Sequence, residues 1–126
     1  MHKFLNEIEV QGYSVVKGAF IAGKLQELEN SILPFYQKMN ISNFGYSLLE
    51  LGLEDRVKVS ELVLEFFKSS IQNLLEEYKF LTGSFLVKPS NESSSLNLHQ
   101  DWSYTRESDA PSYTCWTPLI DTNSIS

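Results

Sequence analysis

The chain has 126 residues, of which 42% are hydrophobic, 21% charged and 13% aromatic, a balance that fits one globular domain and excludes a disordered or collagen-like chain. Sixteen acidic against ten basic residues give a net charge of −6, which argues against a general binder of nucleic-acid backbone. A single cysteine, Cys115, excludes an internal disulfide framework and a multi-cysteine zinc site, and no apolar run reaches the roughly 18–20 residues that a bilayer span needs.

The start of the chain carries an early acid, Glu7, and no long apolar stretch, so no secretory leader is expected and the expected location is cytoplasmic. His2 to Gln11 reads as a short helix closed by Gly12. Tyr13 to Lys17, rich in β-branched residues, reads as a strand. From Ile21 the period becomes helical, with Leu25, Leu28, Ile32, Tyr36 and Met39 on one stripe. Pro34 interrupts that stripe and predicts a kink, or two short helices meeting there. Asn40 to Asp55 reads mostly as loop, and Arg56 to Phe80 as the strongest helix, with a broad apolar stripe from Val59 to Tyr78.

Strand patterns dominate after Gly83. Phe85 to Lys88 is stopped by Pro89, Leu96 to Asp101 alternates with period two, and Tyr113 to Ile120 is the last strand candidate. The fold class expected is α+β, in one partial domain: residues 1–82 mainly helical with one early strand, residues 83–126 carrying strands. So few strands would leave open sheet edges, so the sequence is expected to stop partway through a domain.

The chemistry concentrates in Leu98-His99-Gln100-Asp101-Trp102. On a strand, His99 and Asp101 project to the same face. One imidazole and one carboxylate so placed supply two of the three ligands in the two-His, one-carboxylate face that holds non-haem Fe(II). The same pair also fits an ordinary surface contact.

The stretch from Leu98 to Tyr104, followed by Cys115-Trp116-Thr117-Pro118-Leu119-Ile120-Asp121, resembles the phytanoyl-CoA dioxygenase family. Gly12 to Phe20, followed by a helix, is similar to that family's opening strand. The resemblance implies a double-stranded β-helix, or jelly roll, with helices packed outside, present here as its N-terminal part. It implies an Fe(II)- and 2-oxoglutarate-dependent hydroxylase that uses O2 on a small-molecule substrate, with no nucleic-acid or membrane partner. His99 and Asp101 would be metal ligands. Lys88, Gln100 and Trp116 would meet 2-oxoglutarate, and Trp102 and Tyr104 would shape the substrate mouth. Trp116 equally fits a core position, Lys88 an edge-strand charge, and Trp102 and Tyr104 plain packing. A carboxylate at Asp101 fills the position that related halogenases leave open for chloride, so hydroxylation is expected over halogenation. The family's distal histidine and cosubstrate-binding arginine have no match: His2 precedes the first strand, and Arg56 and Arg106 fall on a helix start and in a loop. On these grounds the chain alone is expected to be inactive. The other class open to it is a helical binding or scaffolding module with an incidental His-x-Asp.

Overall fold

The computed structural model describes residues 3–21, 23–74, 78–90, 97, 99, 101 and 103–122. In chain order the elements are α1 (Lys3–Gln11), α2 (Lys24–Tyr36), β1 (Gly45–Tyr46), α3 (Ser47–Glu50), α4 (Leu53–Ile71), a 3-10 turn (Gln72–Leu74) and β2 (Leu86–Val87). The fold is α+β: helices packed on one small antiparallel sheet, with Gly45 opposite Val87 and Tyr46 opposite Leu86. Among the described residues there is no jelly roll. No helix among them is long and apolar enough to cross a membrane.

The core lies where α2 and α4 pack together. Leu28 and Ile32 from α2 meet Val59, Val63 and Phe66 from α4, with Met39, Leu51 and Phe85 closing the cluster. Phe20 stacks on Phe66 at 4.6 Å and meets Phe67 edge-on at 5.6 Å, a geometry that suits the ring quadrupoles. The acids Glu54 and Asp55 in the first turn of α4 and Lys68 in its last turn complement the helix dipole. Arg56 reaches back to the carbonyls of Leu51 (2.5 Å) and Leu49 (3.3 Å), satisfying acceptors at the end of α3. Lys38 grips Asp55 at 2.7 and 2.9 Å, tying the turn after α2 to the start of α4.

Two polar anchors fix the return strand. The fully buried Ser47 donates its backbone N–H to the Phe85 carbonyl at 3.1 Å, and its hydroxyl accepts the Phe85 N–H at 3.0 Å. The Gly83 N–H donates to the Ser60 hydroxyl at 3.0 Å. Glycine is needed there: a Cβ would stand 2.7 Å from Val63 Cβ and 2.9 Å from the Ser60 carbonyl oxygen.

Several expectations are corrected. Residues 13–16 form no strand and pair with none among the described residues, and Val15 is 68% exposed; β-propensity forms a strand only against a neighbour. Pro34 sits in the last turn of one continuous helix rather than between two short ones, and its missing N–H costs the single bond back to the Asn30 carbonyl. Tyr36, placed on the α2 stripe, is exposed. The 40–55 region holds β1, α3 and the start of α4 rather than mostly loop. Helix α4 begins and ends earlier than expected, and 78–85 returns in non-helical form to bring Phe85 into the core. Residues 113–118 are not a strand. Of the 96–101 segment only Asn97, His99 and Asp101 are described, and none is in a strand.

Candidate metal centre

The described residues that follow the motif are joined to one another by short-range polar contacts. The Ser103 hydroxyl donates to the Thr105 carbonyl at 2.8 Å and lies 3.2 Å from the Ser112 hydroxyl. The Thr105 hydroxyl donates to the Ala110 carbonyl at 3.1 Å. Among the described residues, Leu119 packs on the core, and two aromatic contacts also tie the segment to the rest of the molecule. Tyr78 and Tyr113 meet edge-on at 5.3 Å, and the phenol oxygens of Tyr46 and Tyr104 lie 3.4 Å apart.

Within this frame, His99 Nε2 lies 3.4 Å from Asp101 Oδ1. His99 Nδ1 lies 2.8 Å from the Asn97 carbonyl oxygen. A carbonyl only accepts, so Nδ1 carries the proton and, in the neutral ring, Nε2 carries the lone pair. That nitrogen and the carboxylate oxygen 3.4 Å from it are then both acceptors, and a shared cation would reconcile them. Two donors each about 2.1 Å from one ion stand roughly 3.0–3.4 Å apart for angles between right-angled and tetrahedral. The backbone bond on the far nitrogen is the usual orienting partner of a metal-binding imidazole. The pair therefore fits two positions of a divalent-ion site. Among the described residues no third His, Cys, Asp or Glu joins them in a cluster. The His99 side chain is 51% and the Asp101 side chain 59% exposed, so the pair lies on open surface.

The other candidate residues divide. Tyr104 is close enough to Asp101 for the carboxylate charge to act on its phenol. The hydrogen bond with Tyr46, then desolvation, then the charges of Tyr46 and Asp101 push that phenol above its ordinary pKa. Lys88 follows β2 and is exposed, and Trp116 is 67% exposed. Neither has a hydrogen bond or ion pair to His99 or Asp101 among the described residues. The core position that Trp116 also fitted is not where it lies. Gln100 and Trp102 lie outside the described residues. Cys115 is an exposed residue, although desolvation at its sulfur raises the thiol pKa.

Two contributors were not picked out from sequence. Asn97 contributes its backbone carbonyl, which no side-chain pattern marks. Tyr46 stands 58 residues from Tyr104, and nothing local marks that pairing. Comparison with known proteins finds no matching family model, no matching curated protein and no matching solved structure.

Proposed function

We propose that the chain is the amino-terminal part of an Fe(II)- and 2-oxoglutarate-dependent oxygenase of the phytanoyl-CoA dioxygenase type, hydroxylating a small molecule with O2. His99 and Asp101 would hold the metal. The observation that supports this reading is the imidazole whose Nδ1 is tied to the Asn97 carbonyl and whose Nε2 lies 3.4 Å from Asp101 Oδ1. Iron held there would supply the activation of O2. The residues of this chain contribute a nitrogen donor of fixed tautomer and a carboxylate that offsets part of the ionic charge. The carboxylate at Asp101 favours hydroxylation over halogenation. Further strands of a jelly roll would cover apolar side chains exposed here at Val15, Leu86 and Ile120.

The coding frame beyond Ser126 tests this directly. It should continue to a distal histidine and an arginine, and the longer protein should form succinate from 2-oxoglutarate with Fe(II). A stop codon there, or a continuation without a second histidine ligand, overturns the reading. The 126-residue chain alone should bind Fe(II) weakly and form no succinate. Two ligands hold a metal poorly, and no matched arginine pairs with the cosubstrate carboxylate. A second reading, a helical interaction module, is favoured by the exposure of both His99 and Asp101. Succinate formation by the longer protein excludes it as the sole function.

A further inference from the structure

Helices α2 and α4 leave an open groove along their shared outer face. At one end Phe35 stands against Lys58, Glu61, Leu62 and Glu65, around a volume of about 520 Å³. At the other end, Lys24, Glu27, Leu28 and Ser31 stand against the stretch of α4 from Leu62 to Ser69, around about 250 Å³. The start of α2 therefore lies against the end of α4, and the two grooves share Leu62 and Glu65. On each helix the lining residues recur at three- and four-residue spacing, the signature of one face. They extend over three turns, about 17 Å at 1.5 Å per residue. The floor is apolar, from Leu28, Phe35, Leu62 and Phe66, and the rim is acidic, from Glu27, Glu61 and Glu65.

The charges on the rim are unbalanced. Lys24 is bound to Glu27 at 2.5 Å and Lys58 to Glu54 at 2.6 Å. The hydrogen bond from Lys58 holds the Glu54 carboxyl below its ordinary pKa and the Lys58 ammonium above its own. Both rim cations are thus engaged. Glu61 and Glu65, one turn apart on α4, have no ion-pair partner among the described residues. Like charges at that spacing repel, and a cation brought between them relieves the repulsion.

We infer that this groove docks a basic amphipathic helix of a partner protein, with apolar side chains on the floor and Lys or Arg against Glu61 and Glu65. A helix seated between two helices with its apolar face down is a recurrent recognition mode, and complementary charge at the rim sets partner choice and association rate. A second copy of this chain fits less well than a basic partner, because two chains each of net charge −6 repel. Nucleic acid and anionic lipid are repelled by the same rim. None of the groove residues lies in the 97–104 segment, so this inference and the metal reading stand or fall separately.

The test uses the 126-residue chain and a labelled amphipathic peptide about four turns long, with leucines at three- and four-residue spacing and lysines flanking them. A matched peptide carries glutamates in place of the lysines. Binding is read by fluorescence anisotropy, and the surface is mapped by amide shifts. The lysine peptide should bind, perturb Phe35 and Leu62, and weaken with added salt, while the glutamate peptide should not bind. The double substitution Glu61→Lys/Glu65→Lys should weaken binding at least tenfold, and Glu61→Gln/Glu65→Gln by a smaller factor. A control with the same charge change elsewhere, Glu9→Lys/Asp121→Lys, should stay within about threefold of the parent, since distant exposed charges are screened. Circular dichroism of each variant confirms the helices. Equal loss in the control and the rim variants, shifts mapping away from α2 and α4, or equal binding of both peptides overturns the inference. So does a dimer in sedimentation that Glu61→Lys/Glu65→Lys abolishes, which would assign the groove to a second copy.

Discussion

The α2–α4 region and the segment from Asn97 to Thr122 are held by different physics. In the first, Val59 is fully buried, and Leu28, Ile32, Val63, Phe66 and Phe85 are nearly so, with Ser47 and Ser60 satisfying the backbone that passes over them. In the second, hydroxyls at Ser103, Thr105 and Ser112 bond near neighbours in sequence on an exposed surface. Its tethers to the body are the Tyr46–Tyr104 and Tyr78–Tyr113 contacts and the packing of Leu119 on the core. Apolar burial gives the first region its stability. Among its described residues the second has few buried contacts, the character expected of parts that open at low free energy. The candidate chemistry lies in the weaker region, and the determinants of the fold in the stronger.

The sharpest way to break this comparison is Phe66→Ala. The ring is 8% exposed, stacks on Phe20 at 4.6 Å and meets Phe67 edge-on at 5.5 Å. Removing it deletes buried surface and leaves a cavity among rings that cannot all collapse into it. The expected loss is about 3–5 kcal/mol by denaturant titration. A loss under about 1 kcal/mol would show that the aromatic cluster is not the centre of the core.

The polar anchors come next. Ser47→Ala keeps the size of the buried site but leaves the Phe85 N–H without its acceptor, at a cost of about 1–3 kcal/mol. Gly83→Ala forces a methyl against Val63 Cβ and the Ser60 carbonyl, and overpacking of that kind costs about 1–3 kcal/mol. Hydrogen exchange should show protection at Phe85 falling in the first variant and at Gly83 in the second. Unchanged exchange at both amides would mean that the return strand is held by something other than these bonds.

Legibility from sequence follows the same division. The helical stripes were readable because Leu28, Ile32, Val59, Val63 and Phe66 recur at the spacing of one helix face, a purely local signal. The early strand at 13–17 was misread because its evidence was composition alone, and a ladder needs a partner that composition does not supply. The helix α3 and the two-residue β1 were missed because elements of two to four residues carry no period. At the candidate site, His99 and Asp101 were found by type and spacing, and their closeness needs only two residues of chain. Neither the Tyr46–Tyr104 contact nor the exposure of Trp116 could be read, since both depend on how distant segments meet.

The smallest expected effect on stability belongs to Asp101→Ala, and it tests the weaker region by itself. The Asp101 side chain is 59% exposed and its near neighbour is His99 Nε2 at 3.4 Å. Both side chains are about half exposed, so the contact adds little to stability. Replacing the carboxylate with a methyl group opens no cavity and strands no buried donor. Without metal, the unfolding free energy should stay within about 0.5 kcal/mol of the parent, and a small gain is consistent with removing two opposed acceptors. The metal response should differ. Co(II) added to the parent should shift or broaden amide signals around 97–104 and leave those of Val59 and Val63 unmoved, and Asp101→Ala should abolish that local response. If Asp101→Ala instead destabilises the fold as much as Ser47→Ala, the carboxylate is structural and the two regions are one cooperative unit. If the Co(II) response survives in both Asp101→Ala and His99→Ala, the ion sits elsewhere, and the pair is a surface contact without a metal role.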